Sequence, residues 1–552
     1  MRKNKKIKTQ KNNLTEIDLL LVLKQNKAIL FAIFLISFLF YSFSLNFDFV
    51  SDDVYLIKNN PNLNSLSYVF ASPVYFLSLI PHYLTYILFG LAPYAYRFLN
   101  ILYHSGSAVL VFLIINKIFS KKIAVFSSLL FAIHPINIEA VAWISGYSSS
   151  MYTFLFLVSF LFFIYSKQLD KKYWISIVLL VFSLASSNKA VSVPIIFIFY
   201  EFLLNRNQYS LKRVIAPIAL ASIYTLVSIL GIFPRLSVLQ QSYYSGSEKP
   251  NPFLSFPISL FDYFGILVFP FNLSLYRTNY SINVMLLILR YIALFFIALF
   301  SFFLLRNKKY KELFLVCFYY VALMPLALPL GVGWITAERY IYLSSIAFFA
   351  LFGIALNLVF KKYFYLVLSV LFIIYSGLFF YRIFDWKNED TLWQKTVLTA
   401  PNYEISHNNM GDYYGRRGDD KKAIEEFLIA IKINPNYAPA YHNVGLAYMR
   451  LEDFDLAIKY LEEASRLSSN LFQSVEKLGE IYLYDKKDYT KSRDYFIKAL
   501  EINPGLVNSR INLAYSYLYL GDKESALKTF ELVLKFDPLN VYAQKGISEI
   551  KK

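Results

Sequence analysis

Isolated charges stand out in the apolar first two thirds of this 552-residue chain. Two carboxylates, Asp52 and Asp53, are adjacent in Asn46-Phe-Asp-Phe-Val-Ser-Asp-Asp-Val-Tyr-Leu-Ile-Lys-Asn-Asn-Pro. Such a pair suits a proton-accepting base or the ligation of a divalent cation, and equally a plain turn. His134 and Glu139 fall in His134-Pro-Ile-Asn-Ile-Glu-Ala-Val-Ala-Trp, Lys189 in Ser187-Asn-Lys-Ala-Val-Ser-Val-Pro, and Arg339 directly follows Glu338 in Glu338-Arg-Tyr-Ile-Tyr-Leu. Ionisable groups close to a bilayer are costly and usually functional. Each also has a bland reading: His134 as a helix-end residue before Pro135, Arg339 in an ion pair with Glu338, and Lys189 snorkelling to headgroups. The single cysteine, Cys317, can form no internal disulfide, and five scattered histidines lack metal-ligand spacing, so no metal site is expected from these residue types.

What must position these residues is a membrane domain. The chain is 57% hydrophobic, against about 45–50% in soluble proteins. Up to Arg382 it carries 32 Lys/Arg against 12 Asp/Glu, and beyond it 23 against 25, so the whole excess of +18 belongs to the apolar part. A nucleic-acid surface would place its basic patch on a soluble face; here the charge reads as membrane orientation, and no nucleic-acid partner is expected. Candidate apolar spans fall at 28–45, 98–118, 122–141, 149–166, 173–186, 190–205, 213–233, 284–305, 313–331, 340–360 and 363–382, a bilayer crossing taking about 20 mostly apolar residues. The stretch 257–275 is ambiguous; a crossing there would turn Arg306, Lys308, Lys309 and Lys311 outward, against the positive-inside rule. Treating it as half-inserted gives about eleven spans. The basic leader, with Arg2, Lys3 and Lys5, then lies in the cytoplasm ahead of an uncleaved first span, and the C-terminal region lies outside. Asp48, Asp52, Asp53, Glu139, Glu248, Asp262 and Glu338 all map at or just beneath the outer face, where chemistry is expected.

After residue 400 a repeat appears. Gly411, Tyr414, Ala423, Phe427, Ala430 and Pro435 return as Gly445, Tyr448, Ala457, Leu461 and Ala464. They return again as Gly479, Tyr482, Ser492, Phe496, Ala499 and Pro504, with one extra residue near Lys486, and then as Ala514, Tyr517, Ala526, Phe530, Val533 and Pro538. This resembles the tetratricopeptide repeat, whose small residues let paired helices approach while aromatics fill the gaps. Trp393 and Pro401 fit half of an earlier repeat. Asn409, Asn443 and Asn512 recur two residues before the packing Gly or Ala, with Lys477 breaking the series. Their carboxamides suit a peptide backbone or a helix cap; the series resembles the asparagine ladder that holds acceptor chains in some repeat glycosyltransferases.

The outer-face motifs, together with Arg97-Phe-Leu-Asn-Ile-Leu-Tyr-His104 and Phe384-Asp-Trp-Lys-Asn-Glu-Asp-Thr-Leu-Trp, occur in an order that resembles the transmembrane and tetratricopeptide-repeat O-mannosyltransferases and their bacterial relatives. After Trp143 relatives commonly carry a charged pair where this chain has Gly146-Tyr-Ser-Ser. The resemblance implies an all-α polytopic membrane protein of the C-type glycosyltransferase fold, with a cytoplasmic leader (1–27), a membrane domain (28–382) whose first outer loop is 46–97, a connector with a partial repeat (383–407) and a tetratricopeptide-repeat α-solenoid of about four repeats (408–552). It implies transfer of a sugar, mannose or another hexose, from a polyprenyl-phosphate carrier in the cell membrane to protein hydroxyls outside. Asp52 matches the family's first-loop acid and is expected as general base, with Asp53 orienting the acceptor or sharing that role. Lys189 and Arg339, and less directly Arg97, are expected at the lipid phosphate; His134 and Glu139 are expected to bind sugar hydroxyls or to fix the loop, and Glu338 to stand with them among the substrate-binding residues. No cofactor is implied beyond the open alternative of a divalent cation at the adjacent acids. Two rivals stand beside this reading: a non-catalytic membrane scaffold whose repeats bind partners, and a glycosyltransferase acting on lipid or glycan.

Overall fold

The computed structural model describes residues 19–70, 76–243, 252–271, 273–276, 284–327 and 336–551. The basic leader up to Asp18 and Glu248 lie outside the described residues. Every regular element described is helical, as expected where an apolar medium forces backbone polar groups to pair within their own segment.

Among the described residues five helices are individually long and apolar enough to cross a membrane: Leu19–Ser42, Pro93–Ile118, Ile144–Ile164, Val284–Arg306 and Phe364–Trp386. The pair Lys121–Ile133 and Pro135–Ala142 makes a sixth if counted as one span. Among the described residues the count of eleven is therefore not reached on length and composition, and for four of the expected spans the cause is local. The expected span 122–141 bends by 52° at Pro135, where a residue without an N–H opens the helical ladder. The expected spans 173–186, 190–205 and 340–360 are the shorter helices Lys171–Leu184, Val193–Phe199 with a π turn Tyr200–Leu204, and Ser344–Val359. These helices stop early at one end and hand over to 3₁₀ turns, Asn188–Ser192 and Glu338–Tyr340, so Lys189 and Arg339 sit on irregular backbone. The ambiguous stretch forms the 17-residue helix Pro252–Val268; near its end Val268 O accepts from the Tyr375 hydroxyl, 3.1 Å. Leu286, Leu289, Phe295, Phe296 and Phe302 are exposed along Val284–Arg306, as a lipid-facing helix requires.

Beyond Arg382 the chain forms antiparallel helix pairs, from Glu404–Arg416 with Asp420–Ile433 to Val507–Tyr519 with Lys523–Phe536, closed by Val541–Lys551. Within the pairs the repeated glycines face the repeated large residues: a Cβ on Gly411 would lie 2.6 Å from the Phe427 ring and one on Gly445 2.6 Å from Leu461. Each second helix starts on an aspartate, Asp419, Asp453, Asp488 or Asp522, whose carboxylate accepts from the backbone N–H three residues on, an N-cap worth about 1 kcal/mol. The extra residue near Lys486 is absorbed by a π turn, Ile481–Asp485, which takes up one insertion without changing the helix direction.

Candidate active site

The first loop leaves the helix Leu19–Ser42 and turns sharply at Ser51, whose φ is +54°, just before the two acids. Asp53 is fully buried. Its Oδ1 accepts from the backbone N–H and hydroxyl of Ser145 at 2.8 and 2.5 Å, and its Oδ2 from Val50 N at 3.3 Å. Burial pushes its pKa up to about 6, with the Ser145 hydroxyl and the Arg97 charge pulling it back. Ser145 reaches Asp53 because the turn Ile144–Gly146 packs hard beneath the preceding helix. A Cβ on Gly146 would stand 2.4 Å from the Glu139 carbonyl oxygen, so only glycine fits there.

Asp52 differs from its neighbour. Among the described residues no hydrogen bond or ion pair holds its carboxylate, and the residue keeps an exposed edge. Enough protein surrounds it that desolvation raises its pKa, while the nearby Arg339 lowers it. Arg339 in turn pairs with the buried Glu139, both through its guanidinium and through its backbone N–H, 3.0 Å. It also lies over the rings of Trp143 and Tyr340, at 5.3 and 5.0 Å. Lys189 approaches the same Tyr340 ring, 5.1 Å, and donates to the Ser149 hydroxyl, 2.9 Å. Burial and then the like charge of Arg339 lower its pKa to about 7. The bend at Pro135 and the two 3₁₀ turns thus bring together an open carboxylate and two cations from sites more than a hundred residues apart. That arrangement can take a proton from a hydroxyl and stabilise a departing anion.

Four expectations need correction. Arg97 is wholly buried and donates from Nε to Ala142 O, 2.9 Å, and from both terminal nitrogens to Phe47 O and Asp48 O; it fastens the first loop, with each of its three nitrogens engaged on a backbone carbonyl. Arg97→Met leaves those three carbonyls without this donor, at about 1–3 kcal/mol each, so the purified variant is expected to melt several degrees lower. An unchanged melting curve would contradict this structural role. His134 is buried as well: its Nδ1 accepts from Ile136 N, 3.2 Å, and its Nε2 donates to Leu267 O, 3.1 Å, so both ring nitrogens serve the helix end. Glu139 is wholly buried against Arg339, and Glu338 is wholly buried against Arg382, 2.9 Å, which also holds Asp385, 2.7 Å. The sequence neighbours Glu338 and Arg339 therefore have different partners.

The asparagines are partly engaged already. Asn409 donates to the Tyr276 hydroxyl, 2.7 Å, Asn443 to Asn408, 3.0 Å, and Asn512 accepts from Tyr484, 2.8 Å. Residues the sequence reading missed include Ser145, Ser149 and Arg382, whose importance follows only from what they touch. Trp386, quoted only within a motif, stacks on Trp143 with ring centres 5.6 Å apart. Among the described residues no group of three or more His, Cys, Asp or Glu could hold a metal ion. Both Asp53 oxygens accept hydrogen bonds from the protein, which leaves Asp52 as the open carboxylate of the pair.

Models of the tetratricopeptide repeat match residues 411–452 and, copy by copy, 438–471, 473–506 and 507–538. Human protein O-mannosyl-transferase TMTC3 is 27% identical over 405 residues, which is 65% of this chain and 44% of that one. Protein O-mannosyl-transferase F38B6.6 of Caenorhabditis elegans is 26% identical over 428 residues, 70% of this chain and 60% of its own. The chain thus spans about half the length of such relatives. Among solved structures, that of MamA is 24% identical over 26% of this chain and 83% of its own, with a TM-score of 0.25.

Proposed function

We propose that this chain, a relative of the transmembrane and tetratricopeptide-repeat O-mannosyltransferases, moves a hexose, mannose by kinship, from a polyprenyl-phosphate carrier to serine or threonine hydroxyls of proteins outside the cell membrane. The observation that carries the reading is the open Asp52 carboxylate beside Arg339, with Lys189 sharing the Tyr340 ring.

In the reaction the acceptor oxygen attacks the anomeric carbon, the bond from that carbon to the carrier phosphate breaks, and the hydroxyl proton passes to Asp52. The phosphate leaves with one more negative charge, which Lys189 and Arg339 stabilise. Developing positive charge at the sugar favours the carboxylate-lined side. Asp53 is held by Ser145 and Val50 and positions Asp52. The basic clusters favour a cytoplasmic N-terminus, and with an odd number of spans the repeats lie outside, where they meet the acceptor protein. The free amide edges of Asn409, Asn443 and Asn512 are its proposed backbone contacts, and the membrane part is assigned to the C-type glycosyltransferases.

A pH prediction follows from Lys189. Its pKa of about 7 means that the free enzyme loses this positive charge as pH rises, whereas a bound phosphate keeps it protonated. The KM for a mannosyl polyprenyl phosphate is therefore expected to rise roughly tenfold per pH unit above about pH 7. In Lys189→Arg, which stays charged, that rise should be absent. A wild-type KM that is flat from about pH 6 to 8.5 would remove Lys189 from the phosphate.

A further inference from the structure

We infer, resting on the function proposed above, that the first repeat holds the loop carrying Asp52, so that Tyr55, Asp412 and Arg416 are positioning residues for transfer and the repeats are not a detachable recruitment arm. Tyr55 lies three residues beyond Asp52 on the π turn Val54–Lys58. Its hydroxyl donates to Asp412 Oδ2, 2.7 Å, on the first helix of the first repeat. Arg416, one turn further along that helix, donates from Nε to the same oxygen, 2.9 Å, and stands 5.7 Å from the centre of the Tyr55 ring. Its two terminal nitrogens form a fork on Glu389, 2.8 and 2.7 Å. Glu389 opens a connector helix fixed by a capping box at Asn388.

The loop is stitched a second time ahead of the acids, where Asp48 N donates to Lys387 O, 2.9 Å. On its other side the membrane part grips it through Arg97 and Ser145. Asp52 therefore lies on a short segment clamped between the membrane helices and the repeat array. Two more bonds cross between these parts, Asn409 to Tyr276 at 2.7 Å and Ser274 to Thr399 at 2.8 Å. The Tyr55 bonds are exposed, so they contribute little to folding. A shift of about 1 Å in a reacting group can nonetheless cost up to 10²-fold in rate.

The test uses full-length protein in detergent micelles, mannosyl polyprenyl phosphate and a short Ser/Thr peptide too small to span the repeats. Tyr55→Phe and Asp412→Ala are each expected to lower kcat roughly tenfold with the donor KM unchanged. The double variant should be no worse than Asp412→Ala alone, since removing the Asp412 carboxylate already breaks the Tyr55 bond. Hydrogen exchange across 47–58 should quicken in Asp412→Ala, while Lys486→Ala, at a remote pair with Asp455, leaves exchange and kcat at wild-type values. Unchanged exchange overturns the inference whether or not the chain transfers sugar, and faster exchange with a wild-type kcat overturns the positioning role. Failure of the wild-type protein to transfer at all counts instead against the proposed function.

Discussion

Asp52→Asn is expected to lower kcat by about 10²–10⁴-fold, the usual contribution of a general base, with folding and membrane insertion unchanged. The substitution keeps size and shape. Because no hydrogen bond or ion pair among the described residues uses the Asp52 carboxylate, none is lost. Asn cannot take the acceptor proton, so the loss belongs to the chemical step. In the wild type the base must be ionised, and burial raises the Asp52 pKa against the pull of Arg339. Activity should therefore be full above that raised pKa and fall as pH drops through it, an acid limb that Asp52→Asn abolishes. Near-normal turnover by the variant, measured with carrier-linked mannose, would exclude Asp52 as the base. Asp53→Asn behaves differently. It puts an amide N–H₂ against Val50 N or against the Ser145 donors, so stability drops together with rate, which shows up as a lower melting midpoint.

The second large effect is at Arg339. Removing it by Arg339→Met leaves Glu139, wholly buried, without its partner, and breaking a buried pair from one side costs about 3–5 kcal/mol. The single variant is expected to lose both stability and transfer, which by itself does not separate structure from chemistry. The double variant Glu139→Gln, Arg339→Met removes the stranded charge and should recover most of the melting midpoint. Transfer should stay low, because the departing phosphate has lost one of its two cations. A double variant that regains both would assign Arg339 a structural role only, with Lys189 as the remaining phosphate ligand.

Much of the architecture was legible in the sequence because it is written in short-range spacing. The repeats depend on small and aromatic residues a fixed distance apart, and Gly411 against Phe427 is the packing that this spacing dictates. The apolar stretches were equally legible, but their ends were not. Helix termination at Pro135, Asn188–Ser192 and Glu338–Tyr340 depends on tertiary partners, and that is where the charged residues gather. The adjacent acids were found as a pair, yet nothing local distinguishes Asp53, bound by Ser145 92 residues away, from Asp52, which is left open. Glu338 and Arg339 mislead for the same reason. Adjacency suggests an ion pair, whereas a 3₁₀ turn sends one to Arg382 and the other to Glu139, 200 residues distant. Arg97 illustrates the converse error, since a buried arginine that serves backbone carbonyls looks in sequence like an anion ligand.

The central claim is sugar transfer to proteins through Asp52, and it is tested most directly by intact-mass comparison of envelope proteins from cells carrying the wild-type chain, the Asp52→Asn chain or none. The account predicts hexose mass increments on a set of secreted or membrane-attached proteins with the wild-type chain only, the other two samples matching each other. Identical masses in all three, or increments that persist with Asp52→Asn, would contradict it.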